Sequence, residues 1–153
     1  MSCGAAADAT TIRRVCTVSD DEISGLAELL IDCVDGGASV SFMHPLPIAK
    51  AVEFWRHAAG AVARSERALL VAEDARGIVG TVQLLLAQPQ NQPHRADVSK
   101  MLVHRRARRQ GVGTDLMRAA ETLARECGVI PGYALWPRGG LCDTTYFYRE
   151  IAD

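Results

Sequence analysis

The sequence predicts an α/β domain of the layered α+β kind, a mixed and mostly antiparallel sheet with helices on both faces. Three observations predict it. Helix-period apolar patterns fill residues 19–35 and 47–64. Two apolar runs follow, joined by the turn Asp74-Ala75-Arg76-Gly77. A further strand, at 96–103, then leads through an arginine-rich turn and Gly111-x-Gly113 into an amphipathic helix. At 153 residues the chain has the length of one domain with a real core. Residues 1–11 are small and polar and are expected to be disordered, leaving 12–153 as the domain.

Each element follows from its own residues. Residues 12–17 form a first strand candidate. Ser19-Asp20-Asp21-Glu22 has the capping-box spacing, serine and glutamate three apart satisfying each other's backbone donors. Ile23, Leu26, Leu30, Cys33 and Val34 then recur at helical spacing until Gly36-Gly37 stops the helix. Pro47 suits the first turn of a second helix running to about Arg64, with Val52, Trp55, Ala59 and Val62 inward.

Residues 68–73 and 78–86 read as a hairpin, and 87–95, with Pro89 and Pro93, as a loop. Residues 96–103 are the next strand. Residues 114–127 are the third helix, with Leu116, Ala120, Leu123 and Cys127 inward. Residues 143–149 are a final strand candidate.

The most informative stretch is the strand, turn and helix start from Lys100 to Thr114. Helix N-termini carry unpaired N–H groups and partial positive charge, so phosphate oxygens settle there. Glycines let the backbone close on them, and Arg105, Arg106, Arg108 and Arg109 crowd the approach with charge-assisted donors. A Walker A loop is excluded because no lysine follows either glycine. A dinucleotide fingerprint is excluded because Leu116 stands where a third glycine belongs.

Composition excludes further classes. Net charge is −1 and the chain has only two lysines, so no general attraction to nucleic acid exists. An arginine-armed helix on nucleic acid also lacks interleaved aromatics. Apolar runs are too short to span a bilayer, so no membrane is expected. Five cysteines without CxxC spacing, and no apolar leader, suit reduced thiols in the cytoplasm. The four histidines show no ligand spacing, and no metal is expected.

Arg108-x-x-Gly111-x-Gly113 after a strand resembles the pyrophosphate loop of the GNAT N-acetyltransferases. The resemblance runs from about Ile12 to Gly128 and is nearest a bacterial branch that includes the tabtoxin-resistance acetyltransferase. It is carried also by Gly36-Gly37-Ala38-Ser39-Val40-Ser41-Phe42-Met43 and by Asn91-Gln92-Pro93-His94-Arg95-Ala96-Asp97-Val98. The tail Ile130-Pro131-Gly132-Tyr133-Ala134-Leu135 and Cys142-Asp143-Thr144-Thr145-Tyr146-Phe147-Tyr148 is similar to that branch's last strands.

The resemblance implies acetyl-CoA as co-substrate and an N-acetyltransferase acting on the primary amine of a small molecule by direct attack in a ternary complex. It implies that Met101, Leu102 and Val103 offer their backbone to the pantetheine. Arg108, Arg109, Gln110, Gly111, Val112, Gly113 and Thr114 then take the pyrophosphate. Asp97 is the expected base or ammonium-orienting carboxylate, on the same strand face as Ser99, Met101 and Val103. Ser39, Phe42, Asn91 and His94 are expected to border the acceptor.

One departure stands out: relatives place a strand and a helix after the glycine-loop helix, whereas here Gly128 runs directly into Val129-Ile130-Pro131-Gly132. An internal deletion is therefore expected, and a catalytically inactive CoA-binding remnant is the alternative reading. Residues 129–135, or 143–149, are expected to take the vacated slot beside 96–103, the former as a parallel crossover. The exposed sheet edge makes a homodimer possible.

Overall fold

The computed structural model of the chain describes residues 9–87, 90 and 95–129, together with the backbone of 134–135 and 141–142. Four strands form an antiparallel meander. In chain order they are β1 (Thr11–Val15), β2 (Arg67–Asp74), β3 (Gly77–Leu85) and β4 (Asp97–Val103). Helices α1 (Asp20–Asp35) and α2 (Ile48–Ala63) intervene between β1 and β2, and α3 (Val112–Glu126) follows β4.

The sheet separates two cores. On one face Leu69, Val71 and Leu102 pack against Leu26, Leu30 and Cys33 of α1 and Trp55 of α2. On the other, Leu70, Val82 and Leu84 meet Val112, Leu116, Ala120 and Leu123 of α3. Helices on both faces of an antiparallel sheet therefore hold as read from the sequence.

Local chemistry explains the element ends. Ser19 Oγ accepts from Glu22 N at 3.2 Å while Glu22 Oε2 accepts from Ser19 N at 2.8 Å, completing the capping box. Arg13 of β1 ties this turn to the sheet by pairing with Glu22 and Glu73. The β2–β3 turn is closed by Asp74 Oδ1, which accepts from Arg76 N at 2.8 Å, and by Gly77 at φ +121°.

Several expectations are corrected. The first strand begins at Thr11, inside the segment expected to be disordered, and pairs there with Glu73. Pro47 is the N-cap of α2 rather than a first-turn residue. The buried stripe of α2 is Ala51, Trp55, Ala58 and Val62, so Val52 and Ala59 stand at its margin. Cys127 caps the end of α3 and is exposed instead of inward.

The largest correction concerns β4. Thr81 pairs with Leu102 but Gln83 pairs with Ser99, so β4 carries one residue more than β3 across that interval. Lys100, at φ +50°, takes up the extra length as a bulge. Side-chain alternation reverses there. Asp97 and Ser99 share the face of Leu102, toward α1 and α2, whereas Met101 and Val103 turn toward α3. The four residues expected on one face are thus split between two.

Among the described residues β4 has β3 as its only strand neighbour. Of the segment 129–135 expected beside it, residues 130–133 lie outside the described residues, and neither Val129 nor Ala134–Leu135 pairs with β4. Val129 N instead bonds Ala124 O at 2.9 Å, closing the α3 terminus with Gly128 at φ +77°. β5 (Ala134–Leu135) pairs antiparallel with β6 (Leu141–Cys142) in a separate ladder. The strand expected at 143–149 lies outside the described residues.

Candidate functional site

A cleft of about 930 Å³ opens where three segments meet. These are the end of α1 with residues 36–40, the Met101-Leu102-Val103 end of β4, and the turn from Ala107 to Thr114. Of the ten residues expected to hold the cofactor, nine line it: Met101, Leu102, Val103, Arg108, Arg109, Gly111, Val112, Gly113 and Thr114. Gln110 does not. Its Nε2 donates to Arg106 O at 3.1 Å, making it a brace of the turn.

The turn is assembled from both ends. His104 N donates to Val79 O at 2.8 Å, and His104 Nδ1 accepts from Arg106 N at 3.1 Å, starting a single 3₁₀ turn at Arg105–Ala107. Gly111 then caps α3 at φ +83°, a left-handed conformation that favours glycine. The first bond of α3 runs from Asp115 N to Gly111 O, which leaves the N–H groups of Val112, Gly113 and Thr114 without helix partners.

The four arginines divide into two pairs. Arg105 is held by Asp32 of α1, through its backbone N and its Nε, each at 2.9 Å. Arg106 is held by both carboxylate oxygens of Asp74. Arg108 and Arg109 line the cleft. Arg108 Nε reaches Val103 O at 3.3 Å, and Arg109 adopts φ +59°. Among the described residues neither has a carboxylate partner.

Electrostatics match this division. Burial would raise the Asp32 carboxyl, but the Arg105 backbone N–H and guanidinium outweigh it and hold the group below its ordinary value. Arg106 lowers Asp74 by direct hydrogen bonding. Burial, aided by Asp32, pushes the Cys33 thiol up, so the sulfur at the cleft wall adds no negative charge where an anion would bind. Cys33 Sγ donates to Val103 O at 3.5 Å, and with Arg108 it occupies that carbonyl. Leu102 pairs with Thr81 of β3, so the edge backbone left to meet an amide-containing arm is that of Met101 and the N–H of Val103.

The glycines have different reasons to be there. A Cβ on Gly113 would meet Met101 Cε at 3.6 Å and Val103 Cγ2 at 3.8 Å, which are ordinary contacts. Protein packing does not demand glycine at 113, whereas close approach of a ligand would. Gly80 is the reverse case: a Cβ there would lie 2.9 Å from Leu116 Cδ1 and 3.2 Å from Leu102 O. That glycine lets β3 approach α3 beneath the cleft.

The expected acceptor residues scatter more. Ser39 lines the cleft. Phe42 lies outside its lining, stacked edge-on against Phe54 at 5.4 Å with the Lys100 ammonium 5.7 Å from its ring. Asn91 and His94 lie outside the described residues. Asp97 stands at the start of β4, beyond the cleft lining, with Oδ1 accepting from Arg95 Nε at 3.0 Å and Nη2 at 2.6 Å.

Sequence reading missed Asp32 and Asp74, which brace the turn, and Cys33, Ala38 and Val40, which wall the cleft. The surplus of arginines over ligand charge was a signal that some needed acidic partners. Which carboxylates would supply them, 73 and 32 residues away, was not legible. No group of three or more potential metal ligands occurs among the described residues.

The arrangement can hold a polyanion at the α3 terminus, with an extended arm running along the edge of β4 that no strand pairs among the described residues. The Acetyltransferase (GNAT) family profile matches residues 39–138, which include the whole cleft-forming turn. Solved structures agree in fold. Ribosomal-protein-alanine N-acetyltransferase from Brucella melitensis aligns with TM-score 0.64 and 22% identity over 78% of this chain and 69% of its own. N-acetyltransferase from Staphylococcus aureus Mu50 aligns with TM-score 0.61 and 16% identity over 79% and 69%. PaiA N-acetyltransferase from Thermoplasma acidophilum, solved in complex with coenzyme A, aligns with TM-score 0.58 and 14% identity over 79% and 75%. With about two thirds of its length inside the family profile, the chain belongs to the GNAT acetyltransferase family.

Proposed function

We propose that the protein transfers the acetyl group of acetyl-CoA to the primary amine of a small molecule, both being bound at once. The observation that carries this is one continuous cleft. At one end are the three N–H groups of α3 without helix partners, with Arg108 and Arg109, and along it runs the edge of β4 that no strand pairs among the described residues. Diphosphate oxygens match the first set of donors, and the amides of a pantetheine arm match a strand edge. The PaiA relative carries coenzyme A in its own structure, which supports the same co-substrate here.

In this reading the amine nitrogen attacks the thioester carbonyl carbon, the C–S bond breaks, and CoA leaves as a thiolate that takes up a proton. The attacking ammonium must first lose one. Asp97, aligned by Arg95, is the carboxylate proposed to receive that proton or to orient the ammonium. Strand rise places it about 20 Å along β4 from Val103, at the end remote from the phosphates. Ser39 would border the acceptor, and Phe42 would stand behind it.

Among the described residues no helix is long and apolar enough to cross a membrane, and a cytoplasmic setting suits the free thiols of Cys16, Cys33 and Cys127. A homodimer formed through β4 would compete with the pantetheine for the same edge. Light scattering should then show any dimer dissociating as acetyl-CoA is added.

The test is acetyl transfer to a panel of small amines, followed by thiol release, with Asp97→Asn as the probe of the base. The variant should lose turnover while keeping acetyl-CoA affinity; unchanged turnover would remove Asp97 from the mechanism. CoA binding without transfer to any amine would leave the inactive remnant as the better description.

A further inference from the structure

Upstream of the bulge, the α1/α2 face of the sheet turns polar. Register places Arg67 of β2 and Asp97 of β4 on either side of Leu85, and Gln83 beside Ser99 in the next row. Lys100 follows, with its ammonium 2.9 Å from Val40 O and 5.6 Å from the Phe54 ring centre. Val40 itself walls the cleft. This polar patch therefore continues directly from the cleft, at the end away from the glycine turn.

Its charges do not balance internally. Among the described residues neither Arg67 nor Lys100 has a carboxylate partner. Asp97 is engaged by Arg95, and Glu66, the neighbour of Arg67, is held by Arg64 at 3.0 and 2.9 Å. Burial together with the Arg67 charge pushes the Lys100 ammonium down from its ordinary value, the mark of a cation left uncompensated.

A second observation is independent of charge. Gln83 is fully buried, and its Nε2 has no acceptor among the described residues. Exchanging its oxygen and nitrogen would not cure this, because Oε1 must accept from Arg67 Nη1 at 2.6 Å. Trp55 Nε1, in the core on the same side of the sheet, is likewise a donor without an acceptor among the described residues. A buried donor without an acceptor is costly, so its persistence points to an oxygen that is bound there in use.

We infer that Arg67, Lys100 and the Gln83 amide form an acceptor subsite for a carboxylate, so that the amine acetylated by this protein belongs to a molecule that also carries an acid group. The inference rests on the proposed acetyl transfer and names the substrate class within it. A carboxylate oxygen would accept from Gln83 Nε2 and from the remaining Arg67 donors, and its charge would offset both cations. Phe42 and Phe54 would flank the adjoining carbon chain while holding the Lys100 ammonium over their rings.

The test uses matched pairs that differ only in the acid group: L-lysine with cadaverine, L-ornithine with putrescine, and L-tyrosine with tyramine. Each is titrated calorimetrically into the full chain, with and without saturating CoA. The acid-bearing member of at least one pair should bind ten-fold or more tightly. Arg67→Met and Gln83→Glu, the second placing a carboxylate where the ligand's would sit, should each erase that preference. Both variants should keep CoA affinity, which reports that they fold. Equal binding within every pair, or no saturable binding by any member, would overturn the subsite. A preference that survives in a protein that acetylates none of the six would sink the proposed function and leave the subsite standing.

Discussion

Two pairs of arginines lie within five residues of one another and do opposite work. Arg105 and Arg106 are paired with Asp32 and Asp74, and so fasten the turn to α1 and to the β2–β3 hairpin. Arg108 and Arg109 face the cleft without a carboxylate among the described residues. Charge density in a sequence therefore does not measure charge offered to a ligand. The first pair costs its attraction for anions in order to hold the second pair, and the α3 terminus, in place.

Removing both cleft arginines should break that comparison most visibly. An Arg108→Ala, Arg109→Ala double variant should lose the two charge-assisted contacts proposed with the diphosphate. Each is worth about 1.5–3 kcal/mol, so acetyl-CoA affinity should fall by about 100-fold or more. Urea unfolding of the apo protein should shift by less than about 0.5 kcal/mol, as for ordinary surface changes.

The bracing pair should answer in the opposite sense. Asp32→Ala leaves Arg105 and its backbone N–H without their acceptor and should destabilise the fold by about 2 kcal/mol. Acetyl-CoA affinity should fall less than in the double variant. A variant with normal stability but no binding would mean that Asp32 acts on the ligand rather than on the turn.

The glycines sharpen the same contrast on a smaller scale. Gly111→Ala forces a side chain onto φ +83° and should cost about 1 kcal/mol of stability. Gly113→Ala meets only ordinary contacts within the protein, so its stability should hold while acetyl-CoA binding weakens several-fold. Equal losses of stability at both positions would show that 113 is constrained by packing.

The acid limb of stability should be set by the bracing carboxylates. The Asp32, Asp74 and Glu22 carboxyls all lie below their ordinary values in the fold. A group depressed in this way binds fewer protons folded than unfolded, so its contribution is complete above about pH 4–5 and is lost as pH falls further. Unfolding midpoints should be flat from pH 7 to 5 and then drop, and Asp32→Asn should soften that drop.

How much of this was legible follows from the range of the interactions involved. The capping box at Ser19, the Asp74–Gly77 turn and the glycine-opened helix are local, and local residues specify them. The reversal of β4 was less visible, although one signal was present. Asp97-Val98-Ser99 alternates, then Ser99 and Lys100 place two polar residues together before three apolar ones, as a bulge requires. The acidic partners of Arg105 and Arg106 come from distant segments, and nothing near the arginines names them. Likewise, the buried stripe of α2 is set by how the helix lies on β2, which its own period leaves open by one position.

In the proposed function the turn after β4 cradles a diphosphate, with Arg108 and not Arg106 contacting it. The most direct measurement is calorimetric titration of acetyl-CoA into the full chain, into Arg108→Ala and into Arg106→Ala, with folding checked by circular dichroism. The parent should bind micromolarly, Arg108→Ala at least ten-fold more weakly, and folded Arg106→Ala with a much smaller change. No binding to the folded parent, or equal losses in the two variants, would contradict that expectation.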